Sequence, residues 1–213
     1  MFMSKFLIAL AALTVSFGAH AVPTFYTSQG AFVTAASPSQ FESFEGSPDT
    51  GSTSTNMIFG PMSVSCTGSV YCPGFFGQRT IGTATHGTVS VFFATPDTMT
   101  FTFSSALTSF GIDVIDLGTA GATSLTMTTT NGSSTLYTGH VGGFANLLFA
   151  GVIDSNPFTS ITFSATARDD GIDFDSARFG YAATVPEPET YAMMLAGLGL
   201  LGFAARRRKQ KTA

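Results

Sequence analysis

The 213-residue chain has no tryptophan, and its central span, residues 22–185, has no lysine. Three arginines are the basic residues of this span and eleven aspartates and glutamates oppose them, so its net charge is −8. We expect this charge at the surface, where it keeps the protein dispersed, repels phosphate backbones and attracts cations. Nucleic acid is therefore not an expected partner, and a G-x-x-x-x-G-K phosphate loop is impossible in a span without lysine.

Motifs that would indicate catalysis are missing as well. Outside the N-terminal segment there are two histidines, His86 and His140, both close to glycines, and the chain has no G-x-S-x-G motif. A glycosidase needs two carboxylates about 5–10 Å apart that face one sugar bond. Glu42 and Glu45 are three positions apart, so on a strand they point to opposite faces. We predict that the protein is not an enzyme.

The N-terminal 21 residues have the three parts of a secretory signal peptide. Lys5 precedes a mostly apolar run, residues 6–17, and the A-x-A cleavage site Ala19-His20-Ala21 follows. As a helix, this run rises only about 18 Å, too little to cross about 30 Å of hydrocarbon. The sequence therefore predicts a signal peptide over residues 1–21, export by Sec-type machinery and cleavage after Ala21.

The chain has only two cysteines, Cys66 and Cys72. A metal site needs more soft ligands than two cysteines and scattered histidines provide, and a redox C-x-x-C pair has two intervening residues where this pair has five. In an oxidising compartment an even pair of cysteines favours a disulfide. We predict a structural Cys66–Cys72 bridge.

Period-two alternation of apolar and polar residues runs through the central span, as in 100–103, 125–128 and 160–164. This period predicts strands with one buried face, and Asn131-Gly132 between two such segments is a strong hairpin signal. Gly, Pro and Asn turn signals, among them Asn156-Pro157, separate the remaining strand candidates, which are 57–65, 89–94, 107–114, 146–152 and 174–181. The sequence predicts an all-β fold, a single antiparallel β-sandwich, with one short helix at 29–36 capped by Ser28.

The C-terminal 29 residues, 185–213, form a separate unit of the sequence with three parts. Pro186-Glu187-Pro188 cannot lie inside a helix or sheet, because proline fixes φ and lacks a backbone donor. An apolar run, 191–205, follows, and then the basic stop Arg206, Arg207 and Arg208. Fifteen helical residues rise about 22 Å, which predicts one short transmembrane helix over about 190–205 with its basic end in the cytoplasm.

These three parts in this order resemble the PEP-CTERM sorting signal. The resemblance implies recognition by an exosortase, a membrane protease-transpeptidase that cuts near Pro-Glu-Pro and passes the domain to the cell surface or matrix. It also implies a Gram-negative bacterium that makes exopolysaccharide. A plain single-pass anchor is the alternative, and it explains the helix and the arginines but not the Pro-Glu-Pro in front of them.

An acidic segment near the end of the central span is the best candidate for a ligand site. Asp173 and Asp175 alternate with Ile172 and Phe174, so on a strand both carboxylates lie on one face, about 6–7 Å apart. Such a pair can flank a hard cation. The alternative is a pair of solvated carboxylates at a strand edge, where charge discourages aggregation.

Two segments resemble strands of jelly-roll domains of the carbohydrate-binding kind. They are 171–180, GIDFDSARFG, which resembles the last strand, and 41–46, FESFEG, which resembles the first. The resemblance implies a jelly-roll-like sandwich in which these two strands pair, with a structural Ca²⁺ at their junction. Glu45 and Asp175 are then the candidate ligands, with Asp173 next.

The expected protein is thus an exported, non-catalytic component of the cell surface or biofilm matrix, with one ectodomain over 22–184. It is first held in the inner membrane by its C-terminal helix and then released to the surface by exosortase. A carbohydrate-binding module acting on extracellular polysaccharide, with or without Ca²⁺, is the alternative. The lack of tryptophan weakens that alternative, because sugar-binding faces commonly use exposed Trp or Tyr.

Overall fold

The computed structural model describes residues 22–45, 56–72, 77–80, 84–166, 169–183, 194–198 and 201. Within these residues the chain forms strands and, close to the N-terminal side, a helix. In chain order they are β1 (Thr24–Tyr26), α1 (Gln29–Ala36), β2 (Gln40–Glu42), β3 (Asn56–Phe59), β4 (Met62–Thr67), β5 (Gly77–Thr80), β6 (Val89–Ala94), β7 (Thr98–Ile115), β8 (Thr123–Thr129), β9 (Gly132–His140), β10 (Leu147–Ala165) and β11 (Gly171–Tyr181).

Two long strands, β7 and β10, organise the whole sheet. They pair antiparallel along both of their halves, and the register shifts between Ile153 and Ser160, where β10 bends. One half of the pair lies between β4 and β8, and the other half lies between β11 and β1. The bend therefore produces two sheets that share these strands, β3-β4-β7-β10-β8-β9 and β5-β6-β11-β7-β10-β1, and β2 pairs with β11.

Phenylalanine rings fill the space between the two sheets. Phe101 in the first half of β7 contacts Phe110 in the second half at 5.5 Å between ring centroids, and Phe163 of β10 contacts Phe174 of β11 at 4.6 Å. All four side chains are fully buried. Tilted and edge-to-face rings at such distances are the favoured aromatic packing. The predicted antiparallel β-sandwich is confirmed, whereas its jelly-roll-like topology stays a prediction.

Helix α1 covers the outer face of the second sheet. Gly111 and Gly151 are direct partners in the β7–β10 ladder, and the missing side chains leave a depression that the ring of Phe32 fills. A Cβ on Gly111 would stand 2.7 Å from the Phe32 ring and 2.5 Å from the Phe149 ring, so only glycine fits there. The β7 part of the second sheet is consequently buried on both faces, which explains why residues 109–115 are buried without alternation.

Several local predictions are confirmed. The Ser28 side chain caps α1 by accepting a hydrogen bond from Ala31 N at 3.4 Å. The hairpin predicted at Asn131-Gly132 joins β8 to β9, but its two turn residues are Thr130 and Asn131, because Gly132 already pairs with Thr129. The pairing of the early and late segments is also found, since Glu42 lies opposite Ala177 and Gln40 opposite Phe179.

Two predicted boundaries are wrong. The candidate strand 57–65 is a hairpin, β3 and β4, because Gly60 at φ +54° turns the chain. Asn156-Pro157, predicted as a turn, lies inside β10. The Asp154 carboxylate accepts the Asn156 N–H at 2.8 Å, and the register shift accommodates the proline, so β10 continues through the bend.

The predicted terminal segments lie mostly outside the described residues. This applies to the cleavage site at Ala19 and Ala21, to Pro186-Glu187-Pro188 and to Arg206, Arg207 and Arg208. Of the helix predicted over about 190–205, residues 194–198 and 201 are described and are helical. No helix in the described part of the chain has the length and apolar character needed to cross a membrane. The signal peptide and the transmembrane helix remain predictions.

The Phe32 contact gives a stability prediction. Replacing a buried phenylalanine by alanine costs about 3–5 kcal/mol, because it removes apolar burial and leaves a cavity, so Phe32→Ala should lower the free energy of unfolding by about that amount. Val33→Ala on the same helix is the matched control, since Val33 is 40% exposed, and it should change stability by less than about 0.5 kcal/mol. Urea unfolding of both variants measures the difference, and equal losses would contradict the docking role of Phe32.

Candidate functional site

Most of the acidic side chains are inside the protein, contrary to the expectation of an acidic surface. Ten of the eleven acids of the central span lie in described residues, and seven of them are buried: Asp97, Asp113, Asp116, Asp154, Asp170, Asp173 and Asp175. A buried carboxylate is tolerated only where donors or cations replace its water. The partners of these carboxylates therefore decide what the acidic segments do.

Glu45 and Asp175 hold the same loop, residues 85–89. Glu45 Oε1 accepts hydrogen bonds from Thr88 N at 2.8 Å and Val89 N at 2.6 Å. Asp175 Oδ2 accepts from His86 N at 2.8 Å and from the Thr85 hydroxyl at 3.1 Å. The two predicted ligands thus converge on one loop, and in this structure protein donors satisfy them.

Burial raises the pKa of the Asp175 carboxyl above its ordinary value, and hydrogen bonds from the backbone N–H groups of His86 and Ser176 oppose that rise. Asp173, also fully buried, accepts a hydrogen bond from the Ser90 hydroxyl at 2.7 Å. The alternative of solvated edge carboxylates is wrong for these two aspartates, since both are fully buried between neighbouring strands.

No ion-sized group of three ligand atoms forms from Glu45, Asp173 and Asp175 in the described residues, where only Cys66, Cys72 and Asp97 meet that spacing. Those two cysteines form the predicted disulfide, which is confirmed. Asp97 accepts hydrogen bonds from Tyr71 N and Cys72 N, both at 2.6 Å, and so fixes the bridged loop. The Ca²⁺ site at Glu45, Asp173 and Asp175 stays a prediction.

Arg178 is the only basic residue between 22 and 183 whose side chain the structure describes, and it ties three elements together. Its Nη1 lies 3.2 Å from Asp113 Oδ1 on β7 and donates to the Ser176 carbonyl at 2.6 Å. The Gln29 amide oxygen of α1, in the orientation that satisfies the amide, accepts from Nη1 at 3.1 Å and Nε at 3.3 Å. The guanidinium also lies over the Phe41 ring of β2, 5.6 Å from its centroid.

A cleft of about 450 Å³ opens beside this arginine. Phe41 stands in the cleft at 50% exposure, and the edge of its ring meets His86 at 5.2 Å between ring centroids. The remaining lining residues are two apolar ones, Val33 and Pro38, and four polar ones, Ser37, Ser39, Gln40 and Arg178. This combination of an exposed ring, hydroxyl and amide groups and a held guanidinium is the candidate binding site. We call it the Phe41 cleft.

Sequence reasoning missed the Phe41 cleft. Phe41 and Arg178 both stand in the segments compared with first and last strands, but their contact follows from the pairing of β2 with β11, where they are direct partners. Helix α1 contributes Val33 and Gln29 from yet another part of the chain. The one signal that could have indicated Arg178 is its status as a single basic residue within an acidic strand.

The Arg178–Asp113 pair gives the second prediction. Arg178→Met leaves the Asp113 carboxylate buried without its cation, and breaking such a pair from one side costs about 3–5 kcal/mol. The double variant Arg178→Met with Asp113→Asn also removes the unpaired charge of Asp113 and should recover part of the lost stability. Urea unfolding measures the free energy of unfolding of the two variants, and equal losses would show that the unpaired Asp113 charge is not the cause.

Comparisons with solved structures find distant likenesses. TmCBM61 in complex with β-1,4-galactotriose is 11% identical, with a TM-score of 0.41, over 58% of this chain and 90% of that one. The C-terminal family 22 carbohydrate-binding module of Clostridium thermocellum Xyn10B is 13% identical, with a TM-score of 0.40, over 71% and 99%. The catalytic unit of an α-1,3-glucanase from Streptomyces thermodiastaticus is 12% identical, with a TM-score of 0.33, over 60% and 28%. Likenesses at this level are too distant to transfer a ligand or a site.

The family comparison concerns the end of the chain. Among curated proteins no match is found. The model of the PEP-CTERM protein-sorting motif matches residues 184–209, which contain Pro186-Glu187-Pro188, the apolar run and the arginines. The resemblance drawn from the sequence is thereby confirmed: the chain ends in a PEP-CTERM protein-sorting motif.

Proposed function

We propose that this chain is an exported, non-catalytic protein of the cell surface or exopolysaccharide matrix, delivered by an exosortase. The observation that carries the proposal is the position of the sorting motif. The last strand ends at Tyr181, Ala182 N still donates to Ala106 O at 2.9 Å, and the motif begins at residue 184. The folded domain and the processing signal therefore follow each other almost without a linker.

The proposed route uses the three regions in turn. Residues 1–21 direct the chain through the Sec-type machinery, and the apolar run near 190–205 holds the precursor in the inner membrane with Arg206, Arg207 and Arg208 on the cytoplasmic side. An exosortase then cuts near Pro186-Glu187-Pro188, and the sandwich passes to the surface or matrix of a Gram-negative cell.

The hydrogen bonding of the acids supports a non-catalytic role. A hydrolytic pair needs one carboxylate free to donate a proton or to attack. Glu42 instead accepts a hydrogen bond from Phe44 N at 2.8 Å, and Glu45 and Asp175 accept from the 85–89 loop. These carboxylates stabilise turns, which is a structural task.

Polysaccharide binding is the second candidate function, and the Phe41 cleft is the observation that favours it. At about 450 Å³ the cleft falls within the range of about 300–1,000 Å³ that is usual for ligand pockets. It also exposes one aromatic ring next to several hydrogen-bonding groups. The partner would be the extracellular polysaccharide among which the sorted protein lies.

Ca²⁺ at Glu45, Asp173 and Asp175 is a further part of the proposal. An ion there would take the place of the N–H donors of loop 85–89 at Glu45 and Asp175. Ligand binding to the native state raises its stability. A chelator should then lower Tm by several degrees and excess Ca²⁺ should restore it, and an unchanged Tm in both conditions would contradict the site.

Sorting makes the central prediction. Replacing Pro186-Glu187-Pro188 by Ala-Gln-Ala should leave the unprocessed precursor in the membrane, because the exosortase signal is lost while the apolar run remains. Glu189→Gln, next to the motif core, is the control and should be processed normally. Mass spectrometry of both termini measures the outcome. Wild-type protein recovered from the cell surface with residues 1–21 and the tail intact would contradict the proposed route.

A further inference from the structure

The Phe41 cleft keeps an aromatic ring exposed in a fixed position. Phe41 is held on β2 by pairing with Arg178, the guanidinium lies over the ring, and His86 contacts its edge. Its neighbour across the cleft, Val33, is 40% exposed. An aromatic side chain held in place before binding loses little conformational entropy when a ligand covers it. The ring is thus a preorganised flat apolar surface.

Residues with hydrogen-bonding groups lie close to Phe41 in the sequence and line the same cleft. Ser37 closes α1 in a left-handed conformation at φ 45°, and Ser39 and Gln40 follow it along the same wall of the cleft. A serine hydroxyl both donates and accepts. A ligand that fits must therefore combine one apolar face with several neutral hydroxyl-type groups.

The charge at the cleft decides between neutral and anionic ligands. Arg178 is already paired with Asp113, and the Gln29 amide and the Ser176 carbonyl take further N–H groups of its guanidinium. No unpaired cation remains among the described lining residues, so a carboxylate or sulfate in the cleft would lose its water without gaining an ionic partner.

We propose that the Phe41 cleft binds a neutral pyranose unit of an extracellular polysaccharide, with the apolar face of the sugar ring against Phe41 and its hydroxyls on Ser37 and Ser39. This inference rests on the polysaccharide-binding function proposed above and adds its site and its ligand class. Arg178 is a positioning residue in this site, since it holds the Phe41 ring and most of its guanidinium N–H groups already donate to protein acceptors.

A second, smaller cleft supplies the matched control. It has about 280 Å³ and is lined by Ile58, Met62 and Phe103 among others, and Ile58 is 70% exposed. Phe103 is buried, so this cleft offers aliphatic surface without an exposed ring. Removing the Ile58 side chain therefore takes away a comparable apolar surface at a different place.

The test measures Kd of the full chain, purified in detergent, for soluble polysaccharides of two classes. Neutral xylan, galactan and dextran are compared with alginate and polygalacturonate, both polyanionic. We expect binding to at least one neutral polymer and weaker or no binding to the polyanions. Phe41→Ala should weaken the neutral binding about tenfold or more, as truncation of a central aromatic contact does, while Phe41→Tyr and Ile58→Ala keep it. Equal Tm values confirm that the variants are folded.

Three results would overturn the site. They are tighter binding of the polyanions, unchanged affinity in Phe41→Ala, and no binding of any neutral polymer by a wild-type chain that cells nevertheless process and display. The last result leaves the sorting function intact, so the two failures are distinguishable. Conversely, a chain that cells leave unprocessed while the purified protein binds neutral polymer contradicts the proposed sorting and supports the site.

Discussion

Buried carboxylates that accept backbone N–H groups are the interaction on which this sandwich depends. The connections between strands carry N–H groups without a ladder partner, and such groups must be satisfied when they are buried. Asp170 does this for the 118–123 turn, accepting from Gly118 N at 2.8 Å and Ala120 N at 3.1 Å, while hydroxyls of Thr119 and Thr123 complete its shell. Asp97 fixes the disulfide loop in the same way, and Asp154 fixes the bend of β10. Each aspartate thus supplies the hydrogen-bond acceptors that a neighbouring strand would supply within a sheet.

The same use of acids determines the electrical character of the surface. A span of net charge −8 would be strongly acidic outside if its carboxylates were exposed, but seven of the ten described ones are buried. Among the described residues, the exposed side chains include many serines and threonines and few charged groups. A protein with such a surface neither attracts nor repels a neutral polymer, and recognition must then come from shape, an exposed ring and hydroxyl groups. The Phe41 cleft has these properties.

Local patterns in the sequence were sufficient for the parts of the fold that depend on neighbours in the chain. Period-two segments became strands, Ser28 capped α1, and a hairpin formed within one residue of the predicted turn, because each depends on a few adjacent residues. The burial of the acids could not be predicted from local patterns, because their partners are distant in the chain. Asp170 contacts a turn about 50 positions away, and Asp175 contacts a loop about 90 positions away. The Phe41 cleft is assembled from α1, β2 and β11, so nothing in any one segment indicates it.

Strand β11 connects the fold with its delivery. It lies between β6 and β7, pairs with β2, and carries Asp173, Asp175 and Arg178, so without it the second sheet would divide and the Phe41 cleft would lose one wall. It is also the last strand, ending three residues before the sorting motif starts. On the proposed route, the second sheet is completed only when residues 171–181 have been exported, close to the start of the sorting motif. A cut near Pro-Glu-Pro lies beyond the residues that the fold needs, whereas a cut only a few residues earlier would remove Tyr181 from the β7–β11 ladder. The order of residues 171–188 thus places the strand and the cut proposed near Pro-Glu-Pro close together without overlap.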